Sequence, residues 1–246
     1  MALKLTEKIK NDNFSPLKEL HNSIPKTTCK QLNVCCKSGC PPMYFVEFIY
    51  ILDFIKKNIR KDVLTNIVCQ CIDNFFSDDV IKPCPLFNKG CLVYDDRPIN
   101  CRLYGQIPEE EYKERQSRES SEFVMSAAEI MQKMNLSKIE DVPLFHQCPH
   151  VKPVDGSGQE VTLERYNLIF ELLADVEKKF LKDIEVDMAF TSYKIFHDHY
   201  LWFTIGEDML EQWAMVKQFL PEDPLLKADL LNKIKLNFQD KKVISV

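Results

Sequence analysis

Glycine is scarce in this chain of 246 residues, with six in all. No glycine-rich loop of the kind that cradles a phosphate or a dinucleotide is present, which argues against nucleotide chemistry on such a loop. A Gly-x-Ser-x-Gly nucleophile elbow is also missing. There is no excess of positive charge: the net charge is −5, so no overall basic field attracts nucleic acid. No apolar run reaches the ~18 residues of a membrane span. The nearest, from 43 to 55, is interrupted by Glu47 and Asp53. Alternating strand patterns are nearly absent, and only Leu92-Val93-Tyr94 suggests a short extended piece. The opening MALKLTEKIKNDNFS carries lysines but no uninterrupted apolar stretch of secretory type. The expected setting is therefore the reducing cytoplasm, where a disulfide scaffold is disfavoured.

Helical periodicity is what the chain does have. Phe45, Phe48, Ile49, Leu52, Ile55 and Ile59 recur at helical spacing. So do Leu64, Ile67, Val68, Cys71 and Phe75, and then Tyr166, Ile169, Phe170, Leu173, Val176 and Phe180. Met209, Trp213, Val216 and Leu220 form a fourth stripe, closed by Pro221. Asp223-Pro224 reads as a cap and first residue of a helix carrying Leu226, Leu230, Ile234 and Phe238. The fold class expected is mostly α: a helical domain with irregular cysteine-rich loops and little or no sheet. The charge-rich stretch 109–122 reads as a solvated helix or mobile segment, or else an interaction arm. The stretch 151–159, with Asp155-Gly156-Ser157-Gly158, reads as a linker. The expected organisation is a cysteine-cluster region, 1–150, with a helical region, 151–246, packing on it, or one compact domain formed by both.

Cysteine is the anomaly. Ten are present, all before residue 151. One cluster holds Cys29, the adjacent pair Cys35 and Cys36, and Cys40; another holds Cys84, Cys91 and Cys101; Cys148 follows between His146 and His150. Clustered thiolates in a reducing compartment point to zinc or to iron, including iron–sulfur clusters, usually with four thiolates per site. The spacings fit neither common zinc modules nor a ferredoxin run. In an extended chain Cys35 and Cys36 would point to opposite faces and could not share one ion without a sharp turn. Gly39 before Cys40 and Pro41-Pro42 after it favour a fixed non-helical turn.

Bound thiolates need positive partners and hydrogen-bond donors around them. Lys30, Lys37, Lys82, Lys89, Arg97 and Arg102 lie close in sequence to the cluster cysteines. Arg97 and Arg102 could donate to the sulfurs or pair with Asp95 and Asp96, and Tyr94 could pack over the site. Cys71 falls on an apolar stripe and reads as a buried core thiol, while Cys69 takes no role. His146 and His150 are weaker ligand candidates. His197 and His199, two apart, lack the i, i+4 spacing of a helical metal pair and read as surface or core histidines.

The stretch Cys91-Leu-Val-Tyr94-Asp-Asp-Arg97-Pro98-Ile-Asn-Cys101-Arg102-Leu-Tyr104 resembles the signature of the YkgJ family of cysteine-cluster proteins. Cys84-Pro85-Leu86-Phe87, Gly90-Cys91 and the doublet Cys35-Cys36 add to the likeness. The resemblance covers residues 29–104, extends towards 150, and does not reach 160–246. It implies a zinc- or iron-chelating protein of bacterial cytosolic type. The cysteine pattern is also similar to that of flagellin lysine N-methylases, although no glycine-rich methyltransferase loop is present. The expectation is a metal-binding protein that coordinates zinc or iron, or an iron–sulfur cluster, with redox or catalytic work. The ligand candidates are Cys29, Cys35, Cys36, Cys40, Cys84, Cys91, Cys101 and Cys148, supported by Tyr94, Arg97 and Arg102. The alternative is a structural zinc module that shapes a protein-interaction surface. The expected partner is the metal ion, with no nucleic acid and no membrane span.

Overall fold

A computed structural model describes residues 9, 11–27, 29, 34–77, 82–107, 151, 161–185, 193–205 and 232. The described part is 67% helical and contains no sheet, so the fold is mostly α. Its α-helices are α1 (Ser15–Ser23), α2 (Val34–Ser38), α3 (Phe45–Asn58), α4 (Lys61–Phe76), α5 (Ile99–Leu103), α6 (Leu163–Ile184) and α7 (Phe196–Ile205). Short 3-10 turns cover Asn11–Phe14 and Tyr94–Asp96. Two isolated bridges join described residues, Met43 with Lys194 and Phe87 with Cys91. No described helix is long and apolar enough to cross a membrane.

Local chemistry sets the helix ends. Pro16 lies in the first turn of α1, where a missing N–H costs nothing, and Ile24 is extended because Pro25 follows it. Thr162 caps α6 by accepting from the Arg165 N–H at 3.2 Å. That helix ends at Glu185 in a left-handed conformation, with φ 55° and ψ 43°, and its N–H closes on the Leu181 and Lys182 carbonyls.

Three of the apolar stripes meet in one core. Helix α6 packs on α1 and α3, while α7 packs on α3 and α4. Phe14, Phe45, Phe48, Phe76, Phe180 and Phe196 are fully buried, each contributing about 1.5–3 kcal/mol of burial. The Phe14 ring stacks on Phe180 at 5.8 Å, and Phe48 meets Phe196 at 5.5 Å and His199 at 5.2 Å. Residues on both sides of the proposed linker therefore share this core. The short extended piece expected at Leu92-Val93-Tyr94 is instead a turn running into the 3-10 turn Tyr94–Asp96. The Asp96 N–H bonds back to the Val93 carbonyl at 3.0 Å, which curls the chain. The stripes at 209–220 and 226–238, the charged stretch 109–122, and the linker apart from Val151 lie outside the described residues.

Two buried carboxylates seat the N-terminus of α3. The Tyr44 N–H donates to Glu47 Oε2 at 3.0 Å. The Phe45 and Val46 N–H groups donate to Glu177 of α6 at 3.2 and 2.8 Å. The second oxygen of Glu47 accepts from the Ile99 N–H, the start of α5, at 2.7 Å. These N–H groups have no partner within their own helices, and the positive end of α3 favours acidic groups there. Burial pushes both carboxyls up from 4.5 to about 7.

The prediction concerns pH. A carboxyl raised on folding contributes stability that is complete below its unfolded value and is lost as pH rises through its folded value. The stability of the wild type relative to Glu177→Gln should therefore fall between about pH 5 and about pH 8. Urea midpoints of the two proteins across that range check it, and a constant difference would refute it. Glu177→Ala leaves two N–H groups unpaired and should cost about 1–3 kcal/mol per group.

Candidate metal centre

Three separate stretches of chain bring cysteines to one place. Helix α2 carries Cys35 and Cys36, the loop after it carries Cys40, the loop from 82 to 91 carries Cys84 and Cys91, and α5 carries Cys101. All six line one small cavity of about 20 Å³, together with Gly39, Met43, Arg97 and Pro98. Such a volume is of the order of one water or one ion.

The adjacent pair behaves differently from the extended-chain expectation. Cys35 and Cys36 lie in a helix, where successive side chains are ~100° apart rather than opposed. Their sulfurs are 4.0 Å from each other. A tetrahedral zinc site with Zn–S of ~2.3 Å sets its sulfurs ~3.8 Å apart. The two thiols can thus serve one centre, because the helix supplies the turn that an extended strand lacks.

Backbone hydrogen bonds hold the stretches together. The Cys84 N–H donates to the Cys36 carbonyl at 2.8 Å, joining the two cysteine loops directly. Leu92 N–H donates to the Leu86 carbonyl at 3.0 Å, closing the turn that carries Cys91. Buried Asn74 of α4 donates to the Pro83 carbonyl at 2.8 Å, one residue before Cys84. Asn100 donates to the Pro42 carbonyl at 2.8 Å and also bonds Tyr193. His199 faces the Met43 carbonyl at 2.9 Å with Nε2, and burial lowers its pKa to about 4, so the ring is neutral and donates there. Gly39, at φ +147°, takes a backbone conformation that side chains rarely adopt, which lets the chain turn from α2 into Cys40.

Positive charge enters from Arg97. Its guanidinium lies over the Tyr94 ring at 4.1 Å, within hydrogen-bonding reach of Cys29, and its Nε is buried without a hydrogen-bond partner. Tyr94 donates to the Cys29 carbonyl at 3.3 Å. Arg102 is turned onto the backbone instead, with its Nε donating to the Arg97 carbonyl at 2.9 Å and its Nη2 to the Asp95 carbonyl. It clamps the loop that presents Arg97. Tyr50 donates to Asp96 at 2.5 Å and adds a second fastening.

The thiols differ in acidity. Hydrogen bonding to Cys36, assisted by Arg97, lowers Cys35 to about 6. Cys91 falls to about 7, again chiefly through Cys36. Hydrogen bonding to Cys35 and Cys91, together with burial, pushes Cys36 up. Cys84 is raised by its bond to Cys40 and by burial, and Cys101 by burial.

Seven of the eight cysteines expected as ligands fall among the described residues, and six line the cavity. Cys29 stands beside the Tyr94–Arg97 pair. Cys148, His146 and His150 lie outside the described residues. No three His, Cys, Asp or Glu side chains among the described residues already converge as a ligand set. Cys71 is fully buried in α4, as its place on the apolar stripe implies, and Cys69 is half-buried. The anchors Asn74, Asn100 and Glu47 were not identified from the sequence. Glu47, a carboxylate inside an apolar run, was the one visible signal. No family model matches the chain, and no curated protein or solved structure is significantly similar to it.

The acidity order predicts selective alkylation. In reduced, metal-free protein at neutral pH, Cys35 and Cys91 should react with iodoacetamide first, because the thiolate is the nucleophile. Cys71 should stay unlabelled until the protein unfolds. Timed alkylation followed by peptide mass mapping checks the order, and early labelling of Cys71 would contradict it.

Proposed function

We propose that this chain is a thiolate metal-binding protein, holding zinc or iron, or an iron–sulfur cluster, in the cavity between α2, the 82–91 loop and α5. The observation that carries the reading is six cysteines from three separate stretches lining one ion-sized cavity beside a buried guanidinium. The donor set fits the group. Thiolates are strong ligands for both metals, and the partnerless Nε of Arg97 is a donor suited to a negatively charged metal–thiolate centre. Cys35, Cys36, Cys40, Cys84, Cys91 and Cys101 would hold the metal, with Cys29 and Cys148 as further candidates. Tyr94 positions Arg97 by stacking, and Arg102 holds the loop beneath it. A bound metal would supply Lewis acidity or electron transfer, and a redox or catalytic role and a cytoplasmic setting belong to this reading. The likeness to the YkgJ signature in 84–104 supports it.

One observation favours the second reading, a structural zinc module that shapes an interaction surface. The cysteine-bearing stretches have little regular structure of their own, since α2 and α5 are five residues each. A metal joining them would serve the fold directly.

Metal and acid-labile sulfide analysis of protein purified without oxygen, with a visible absorption spectrum, tests the proposal. Iron with sulfide and a broad visible band supports a cluster. Stoichiometric zinc without colour supports the structural module. Protein that takes up neither metal, with its thiols free, removes the proposal. Arg97→Gln should weaken metal binding by about 10–100-fold. A competition titration with a chelator measures that loss.

A further inference from the structure

The two stretches that carry Cys35, Cys36, Cys40, Cys84 and Cys91 share a charge pattern. Residues 26–46 hold Lys26, Lys30 and Lys37, and residues 82–94 hold Lys82 and Lys89. Neither stretch contains an aspartate or a glutamate, although the chain has 37 of them. The net charge of the whole chain is −5, so the five lysines here leave −10 on the rest. The fold joins the two stretches into one wall of the cavity. The Cys84 N–H donates to the Cys36 carbonyl at 2.8 Å, and the Lys82 carbonyl lies 3.8 Å from where a Cβ on Gly39 would stand. Lys37 follows Cys36 on α2, and Lys89 sits in the turn between Phe87 and Cys91 with φ 58°. Both are exposed, and neither forms an ion pair with a described residue. Lys26 is exposed as well, Lys82 is half-buried, and Lys30 lies outside the described residues. Of the first acidic residues that follow the two stretches, Glu47 is buried and Asp96 accepts from the Tyr50 hydroxyl, while Asp95 is exposed.

We propose that this wall is a docking face for an acidic surface of a partner protein, with Lys37 and Lys89 as its main contacts and Lys26 and Lys82 in support. It gives a partner chemistry to the interaction surface of the second reading above, and it stands on the placement of charge whichever metal the cavity holds.

The groups present, and those absent, favour a protein over other anions. A face for nucleic acid offers guanidinium forks to phosphates and bases, and open aromatic rings for stacking. Here the Arg97 guanidinium covers the Tyr94 ring, and Arg102 grips backbone carbonyls. A face for a lipid surface adds exposed apolar side chains to its lysines. The large apolar residues exposed among the described ones are Leu168, Leu172 and Tyr193, and none belongs to this wall. Lysine ammonium groups are compact, strongly hydrated point charges. On a face without exposed large apolar groups they suit a transient contact, steered by charge and weakened by salt. The excess of negative charge elsewhere on the chain turns this wall towards an acidic partner as it approaches.

The test uses the full chain, with and without added zinc, and a fluorescent oligoglutamate peptide as the acidic probe. The peptide should bind at about 0.01 M salt and weaken several-fold by about 0.15 M, as screening shortens the reach of the charges. The double variant Lys37→Glu, Lys89→Glu should bind it about tenfold more weakly. The double variant Lys56→Glu, Lys179→Glu changes the net charge equally at exposed positions outside the wall, and should lose less than about threefold. Carbodiimide coupling joins lysine amines to the carboxylates of the bound peptide, and peptide mapping should find the links at Lys37 and Lys89. Circular dichroism confirms that both variants fold. If one does not, the map of links on the wild type decides. Absence of binding at low salt, equal losses in the two double variants, or links spread evenly over the lysines overturns the docking face. Tighter binding of a single-stranded oligonucleotide of equal charge, or of vesicles containing anionic lipid, overturns the protein partner. Zinc uptake is read separately, so failure of the docking face and failure of metal binding are told apart.

Discussion

The arrangement depends on two carboxylates that leave water to hold the start of one helix. Glu47 and Glu177 are 2% and 3% exposed, and together they accept four backbone N–H bonds. Burying a carboxylate is expensive, and charge-assisted bonds to helix N–H groups are among the few interactions that offset it. Glu177 fixes α3 to α6, and Glu47 fixes α3 to α5. The cysteine cavity lies against that junction: Met43 precedes the cap, and Pro98 and Cys101 flank or lie on α5. Without the carboxylates, the first turn of α3 and the start of α5 would be left with unpaired donors.

A second layer of polar anchors fixes the loops that lack regular structure. Asn74 grips Pro83, Asn100 grips Pro42, and Arg102 grips the carbonyls of Asp95 and Arg97. Each binds a backbone carbonyl within a few residues of a cavity-lining residue. Short, irregular segments have few hydrogen bonds of their own, so side chains supply the missing partners. Arg102 and Arg97, one motif to the eye, divide the work: one clamps the loop and the other lends charge to the cavity.

The mostly helical fold was legible because Phe45, Phe48, Ile49 and Ile55, and likewise Ile169, Leu173 and Phe180, repeat at the helical period and meet in the core. The two cysteine clusters stood out in the sequence, which left one site or two open; the fold brings Cys35, Cys36, Cys40, Cys84, Cys91 and Cys101 to one cavity. The relation between Cys35 and Cys36 was not legible. A helix of five residues is too short to show a period, and an extended chain would have set the pair apart. The bend at Leu92-Val93-Tyr94 escaped for a similar reason, since its alternation is three residues long. Glu177 gave no sign of its role: its partners lie 131 and 132 positions away, and no local pattern encodes a contact across that distance.

That separation also orders events in time. Chains leave the ribosome from their N-terminus, and domains complete only when their last elements arrive. The cavity's six cysteines all precede residue 102, whereas the carboxylate that seats α3 comes at 177. From the emergence of Cys101 until that of Glu177, some 75 residues of synthesis later at about 5–20 residues per second, the thiols sit in a chain whose frame is still open. Whatever protects them from oxidation in that interval must come from the cell and not from the fold.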